Sequence, residues 1–195
     1  MPQAYIVDAV RTAGGRRGGR LANWHPVDLA AQTLNAIVDR TGVDPAAIDD
    51  VLMGCVSQGG EQTGNVGRNA VLASKLPETV PGVSLDRQCG SSQQAIHFAA
   101  QAVMSGTQDI IIAAGVESMT RVPMGSTRTL YKKAGLGAEQ SPEINRKYDN
   151  FQFTQFAGAE MMAKKYGLSK DELDEFALLS HQRAKAASEA GAFNN

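Results

Sequence analysis

The stretch Val83-Ser-Leu-Asp-Arg-Gln-Cys89-Gly-Ser-Ser-Gln-Gln-Ala-Ile-His-Phe-Ala-Ala-Gln-Ala-Val-Met104 decides how the rest of the chain is read. A short strand-like run enters it, a cysteine and small polar residues follow, and compact or apolar side chains continue as a helix. Gly106-Thr-Gln-Asp109 ends that helix, and Ile110-Ile-Ile-Ala-Ala114 reads as a buried strand. The unit is strand–Cys–helix–strand, with a thiol at the helix tip. Unpaired backbone N–H groups and the positive end of the helix dipole favour a thiolate there. Cys89 is the candidate nucleophile. The alternative from local chemistry is a small buried residue.

Upstream, Pro77 and Pro81 bracket the approach to a strand from Gly82 to Leu85. Before them, the glycine-rich Gly59-Gly-Glu-Gln-Thr-Gly-Asn-Val-Gly67 bends into a helix predicted from Arg68 to Ser74. Val51-Leu-Met-Gly-Cys-Val56 is apolar on both faces, as a strand of a covered parallel sheet requires. Cys55 reads there as a small buried hydrophobe. Pro26 opens a helix that Gly42 closes, with Val27, Ala30, Ala31, Leu34, Ile37 and Val38 on one face. Asp44-Pro45 caps a short helical turn. Ala4-Tyr-Ile-Val-Asp-Ala-Val10 is predicted as the first strand. The order through Ala114 is βαβαβαβ, an α/β domain with a mostly parallel sheet and right-handed crossovers.

Between the first strand and its helix, Arg11 to Arg20 holds Gly14, Gly15, Gly18 and Gly19 among four arginines. It lacks the Gly-Lys-Ser/Thr of a P-loop and the spacing of a dinucleotide fold, so it reads as a solvated or subunit-facing loop. Downstream of Glu117 the pattern changes. From Arg121 to Asn150 no period is sustained and basic residues outnumber acidic ones, the mark of a functional or interface loop. A helix follows from about Phe156 to Tyr166. Ser169-Lys-Asp-Glu172 is a capping box opening another to about Ala190, with Leu173, Phe176, Ala177, Ser180, Ala184 and Ala187 on one compact face.

The 195 residues carry a net charge of −1, with 43% apolar and 20% charged residues. That balance points away from nucleic acid or an anionic membrane as partner. No leader-like segment or membrane-length apolar run is present. Two cysteines make no disulfide framework, and a reducing cytoplasm is the expected setting. The cysteines are 34 residues apart and the histidines isolated, so no metal site is expected.

A nucleophilic cysteine needs a base or an electropositive setting. Arg87 and the helix end are candidates for the setting. His97, eight residues beyond Cys89 on the same helix, lies roughly 12 Å along the axis, too far to take its proton. His25 and His181 have no flanking pattern that suggests catalysis. The chain therefore offers a nucleophile without a recognisable base.

Asp86-Arg-Gln-Cys-Gly-Ser-Ser-Gln-Gln-Ala95 closely resembles the nucleophile motif of the thiolases, the acetyl-CoA acetyltransferases and 3-ketoacyl-CoA thiolases. Ile6-Val-Asp-Ala-Val-Arg-Thr12, Gly54-Cys-Val-Ser-Gln58 with Gly67-Arg-Asn-Ala70, Ala114-Gly-Val-Glu-Ser-Met119 and Tyr166-Gly-Leu-Ser-Lys-Asp-Glu-Leu-Asp-Glu-Phe-Ala177 extend the resemblance over nearly the whole chain. It implies a thiolase-like N-terminal domain at residues 1–120 and part of a mainly helical loop domain at residues 121–195. It also implies an acyl-thioester at Cys89, whose own backbone N–H helps hold the oxyanion. Coenzyme A enters as a substrate, with no further cofactor, and a homodimer or homotetramer of a full-length protein is expected. The family's second half, with the histidine that activates the nucleophile and a second cysteine acting as acid and base, has no counterpart here. By itself the chain is expected to be an incomplete, inactive fragment.

Thr154-Gln-Phe-Ala157 departs from the His-Met-Gly-like segment common in short-chain thiolases, leaving room for longer or bulkier acyl chains. Two other readings stand beside this one. A ketoacyl-synthase-like condensing enzyme shares the cysteine at a helix tip, although its motif more often resembles Cys-Ser-Ser. A non-catalytic half-subunit would act only in assembly.

Overall fold

The computed structural model describes residues 3–194. Helix α1 (Pro26–Thr41) begins where His25 accepts the Val27 N–H on Nδ1 at 3.3 Å, and it ends at Gly42 with φ 65°. Its buried stripe of Val27, Ala30, Ala31, Leu34 and Val38 follows the predicted period. Asp44 then caps a 3-10 turn, Pro45–Ala47, and delivers the chain to β1 (Asp50–Gly54).

β1 is the centre of a three-stranded parallel sheet in the order β2-β1-β3, with β2 at Gly82–Leu85 and β3 at Ile111–Gly115. Val51 pairs with Gly82 on one side, and Asp50 pairs with Ile111 on the other. The crossovers are α2 (Val66–Leu72) between β1 and β2, and α3 (Ser91–Ser105) between β2 and β3. Alternate side chains of β1 serve the two faces. Val51 and Met53 join Leu34, Val38, Val66 and Val71 in the core under α1 and α2. Leu52 packs with Ala95 and Ala99 of α3 on the other face. Each fully buried Val, Leu or Met contributes about 1.5–3 kcal/mol relative to exposure. The α/β class and parallel sheet are those expected.

Three details differ from the sequence reading. The run Ala4–Val10 forms no strand and pairs with none, and Tyr5 and Val7 remain 77% and 84% exposed. High strand propensity supplies no hydrogen-bonding partner, and without one a strand does not form. Within the run, Asp8 pairs with Arg40 of α1 at 3.0 Å. Helix α2 starts two residues early because Asn65, at φ 65°, accepts the Arg68 N–H at 3.1 Å and donates to the Gly82 carbonyl at 2.8 Å. Within 121–150, α4 (Ser126–Lys133) and α5 (Pro142–Lys147) form despite the absence of a sustained period. Ser141 caps α5 by accepting the Ile144 N–H.

The described chain divides into two compact units, Met1–Glu139 and Gln140–Asn195. The first holds the sheet, α1 to α3 and α4. The second holds α5, α6 (Gln155–Tyr166) and α7 (Lys170–Glu189). Both halves of the capping box at Ser169 and Glu172 form. Tyr148 and Phe151 each meet Phe153 edge-on, at 5.1 and 5.8 Å between centroids. Neither α6 nor α7 has a buried residue, so the compact face predicted for α7 is uncovered.

Candidate active site

β2 ends at Leu85, and the next six residues build a closed turn. Asp86 Oδ1 accepts the Gln88 N–H at 2.7 Å. The Gly90 N–H donates to the Arg87 carbonyl at 3.1 Å, and the Ser91 N–H to the Gln88 carbonyl at 3.0 Å. Ser91, 5% exposed, accepts the Arg87 N–H on Oγ at 3.0 Å and donates its own proton to the Gln88 carbonyl at 2.6 Å. Gln88 is driven to φ 49°, a left-handed backbone uncommon for a residue with a side chain. The result presents Cys89 exposed, one residue before the N-cap Gly90 of α3. No side chain caps α3, so its end is left to the backbone alone.

Two strand ends seat this helix. A Cβ on Gly54, the last residue of β1, would stand 2.4 Å from Ser92 N and 2.6 Å from Ser91 C. One on Gly115, the last of β3, would stand 2.7 Å from Ser92 Cβ. Only glycine lets the first turn of α3 lie this close to the sheet.

Just beyond those glycines the strand ends are tied together. Glu117 accepts the Val56 N–H at 2.8 Å, the Ser57 N–H at 3.3 Å and a Gln62 Nε2 proton at 3.1 Å. Gln62 is fully buried, donates also to the Ser57 carbonyl at 2.9 Å and accepts the Ser118 N–H at 2.7 Å. Cys55 lies in the core here. Burial above all, then the Glu117 and Asp86 carboxylates, pushes its thiol up to about 12. That is a resting, structural thiol, as expected from its place in an apolar run.

No hydrogen bond joins Cys89 to a histidine. His97 is exposed on α3, His181 is exposed on α7, and His25 caps α1 with Nε2 3.9 Å from Glu61. Glu61 is paired with Arg121, and that hydrogen bond first of all holds its carboxyl below the usual range. Arg128 pairs with Glu139 at 2.9 Å and Arg146 with Glu143, so two of the six basic residues in 121–150 meet acids of the same segment. The Arg11–Arg20 loop is mostly exposed and touches Thr120 Oγ1 through the Gly18 N–H at 3.3 Å. Among the described residues no group of three or more His, Cys, Asp or Glu is placed to hold a metal ion.

Sequence reasoning expected Cys89 at the tip of this helix, where it lies, and singled out none of Gln62, Glu117 and Ser91. Gln62 sits in a glycine-rich bend whose composition signals solvent, and nothing local marks it as buried.

A profile of the family described as "Thiolase, N-terminal domain" matches residues 4–195. A steroid 3-ketoacyl-CoA thiolase of Mycobacterium tuberculosis is 50% identical over 197 residues, covering 100% of this chain and 48% of that protein. A 3-ketoacyl-CoA thiolase of Escherichia coli is 39% identical with the same coverage. The crystal structure of the Bacillus anthracis acetyl-CoA acetyltransferase superposes with a TM-score of 0.71 at 33% identity, over 92% of this chain and 46% of that one. The chain thus spans about half the length of the relatives it matches. It belongs to the thiolase family and corresponds to that family's N-terminal domain.

Proposed function

We propose that this chain is the nucleophile-bearing half of a CoA-dependent acyltransferase acting on 3-ketoacyl-CoA. The observation that carries the reading is the exposed Cys89 on a strained, hydrogen-bonded turn at the uncapped N-terminus of α3. Its thiolate attacks the ketone carbon, and the helix end and backbone N–H groups stabilise the alkoxide that forms. Collapse of that adduct breaks the C–C bond toward the thioester. The electron pair leaves on the acetyl-CoA enolate, which takes a proton from an acid outside these residues. The acyl group stays on Cys89 until the CoA thiol displaces it. Run backwards, the sequence is a Claisen condensation.

The substrate is a 3-ketoacyl-CoA with a longer or bulkier acyl chain. The Thr154-Gln-Phe-Ala157 segment and the steroid substrate class in the name of the 50%-identical relative both support this. The domain division at 120/121, the cytoplasmic setting and a dimer or tetramer belong to the same proposal. Alone, the chain lacks the base and the acid and does not turn over.

Cys89→Ser in the polypeptide that carries this chain is expected to lower thiolysis by about a thousandfold or more. Iodoacetamide at pH 8 should alkylate Cys89, with acyl-CoA protecting it. Cys55 should stay unlabelled until the protein unfolds, because a thiol near 12 is thiolate in only about one molecule in ten thousand at that pH. Full thiolysis by the Ser variant would sink the assignment.

A further inference from the structure

We propose that Glu117 and Gln62 are positioning residues for Cys89, forming a clamp across the ends of β1 and β3 that holds the seat of α3. The inference rests on the acyl-transfer reading above.

The sheet ends at Gly54 and Gly115, and the first turn of α3 lies on both. Ser92 is the contact on each side, three residues from Cys89 and joined to it through the closed turn. The seat is therefore the gap between two strand ends, and the gap is set by whatever fixes residues 55–57 to residues 116–118. The Val116 N–H donates to the Gly54 carbonyl at 3.0 Å and is the last backbone bond there. Beyond it only side chains make the tie. The Glu117 carboxylate takes two successive N–H groups from the chain leaving β1. Gln62 closes the ring by bonding Glu117 and Ser57 with its amide protons and Ser118 N–H with its oxygen. A fully buried amide with both ends satisfied has one arrangement available to it. If the clamp opens, the glycine gap widens, α3 tilts, and the donors at its tip lose their aim on the sulfur and on the oxyanion. Displacements of this kind far from the chemistry can cost about a hundredfold in rate.

The experiment uses the polypeptide that carries this chain. Single-turnover formation of acyl-Cys89 from acyl-CoA, KM for CoA and the pH dependence of Cys89 alkylation are measured in Gln62→Ala, Glu117→Ala and the double variant. Each single change should slow acylation by about tenfold or more with KM for CoA within about twofold, and the double variant should be no slower than the slower single. Gln62→Ala alters no charge, so a changed Cys89 alkylation profile in that variant reads the lost aim of the helix tip. Acylation within about twofold of wild type, or single effects that multiply in the double variant, would overturn the clamp. Should the alanine variants not fold, Glu117→Gln and Gln62→Glu keep the volume while mismatching donors and acceptors. Wild-type rates in both would overturn it equally. A wild type that forms no acyl-Cys89 ends the acyl-transfer reading instead. The clamp is then judged on alkylation alone, where an unchanged profile in Gln62→Ala refutes it.

Discussion

Gln88 carries a side chain where the backbone is left-handed, and the turn that holds it there is closed by the five hydrogen bonds described above within residues 86–91. Such strain persists only where the surroundings over-determine it, and it puts the Cys89 thiol in the open rather than against the sheet. The tolerance for change is equally local at Gly54. A methyl there meets backbone atoms of Ser91 and Ser92, which cannot rotate away. Gly54→Ala is expected to destabilise by about 1–3 kcal/mol, read as a lowered urea midpoint, and to slow Cys89 alkylation by displacing the turn. An unchanged midpoint and unchanged alkylation would mean that the helix end has slack there.

At the scale of elements, β3 is located by one carboxylate at its entry. Asp49 Oδ2 accepts the Asp109 N–H at 2.6 Å and the Ile110 N–H at 3.0 Å, while its own N–H donates to the Ile110 carbonyl at 2.8 Å. The bond from Ile110, then that from Asp109, hold the Asp49 carboxyl below its usual range. The folded state therefore binds the proton more weakly than the unfolded chain. The stabilisation is present above the unfolded value of about 3.9 and is lost as pH falls through the folded one. Urea midpoints of wild type and Asp49→Asn should differ most near pH 6, and the gap should begin to close only as pH falls below about 4. A gap that stays constant with pH would refute the role of the charge. Helix starts at Pro26 and Ser169 were legible because a cap and its donor lie within three residues of each other. The strand–Cys–helix–strand unit was legible for the same reason of short range. The failures had long reach. Ala4–Val10 had the composition of a strand but not a partner, and the bond of Glu117 to Val56 spans 61 residues with no local trace. Gly54 read as an interior residue of the strand Val51–Val56, and Gly115 followed the strand Ile110–Ala114, with nothing local to show the helix that lies on both.

For the whole molecule, the described chain leaves much apolar surface uncovered. Ile96, Phe98 and Met104 face outward on α3, and Phe156 and Phe176 on the second unit's helices are 78% and 72% exposed. Patches of this kind mark interaction surfaces or drive association. Residues 1–195 expressed alone are expected to sediment as species larger than a monomer, and a monodisperse monomer would contradict this. The strand order carries a further consequence, for the order of assembly. β2 and β3 share no hydrogen bonds in the sheet, so β1 must be in place before either can pair. Its partner in β2 lies about thirty residues away and its partner in β3 about sixty, and doubling a loop adds about 0.6 kcal/mol of closure entropy. During synthesis β1 leaves the ribosome first and waits as a template. The shorter β1–α2–β2 loop closes on it, and the seat of α3, which needs β3, is completed last. Pulse-labelled amide exchange during refolding should protect Leu85-paired Cys55 before Gly54-paired Val116, and the opposite order would contradict this sequence of events.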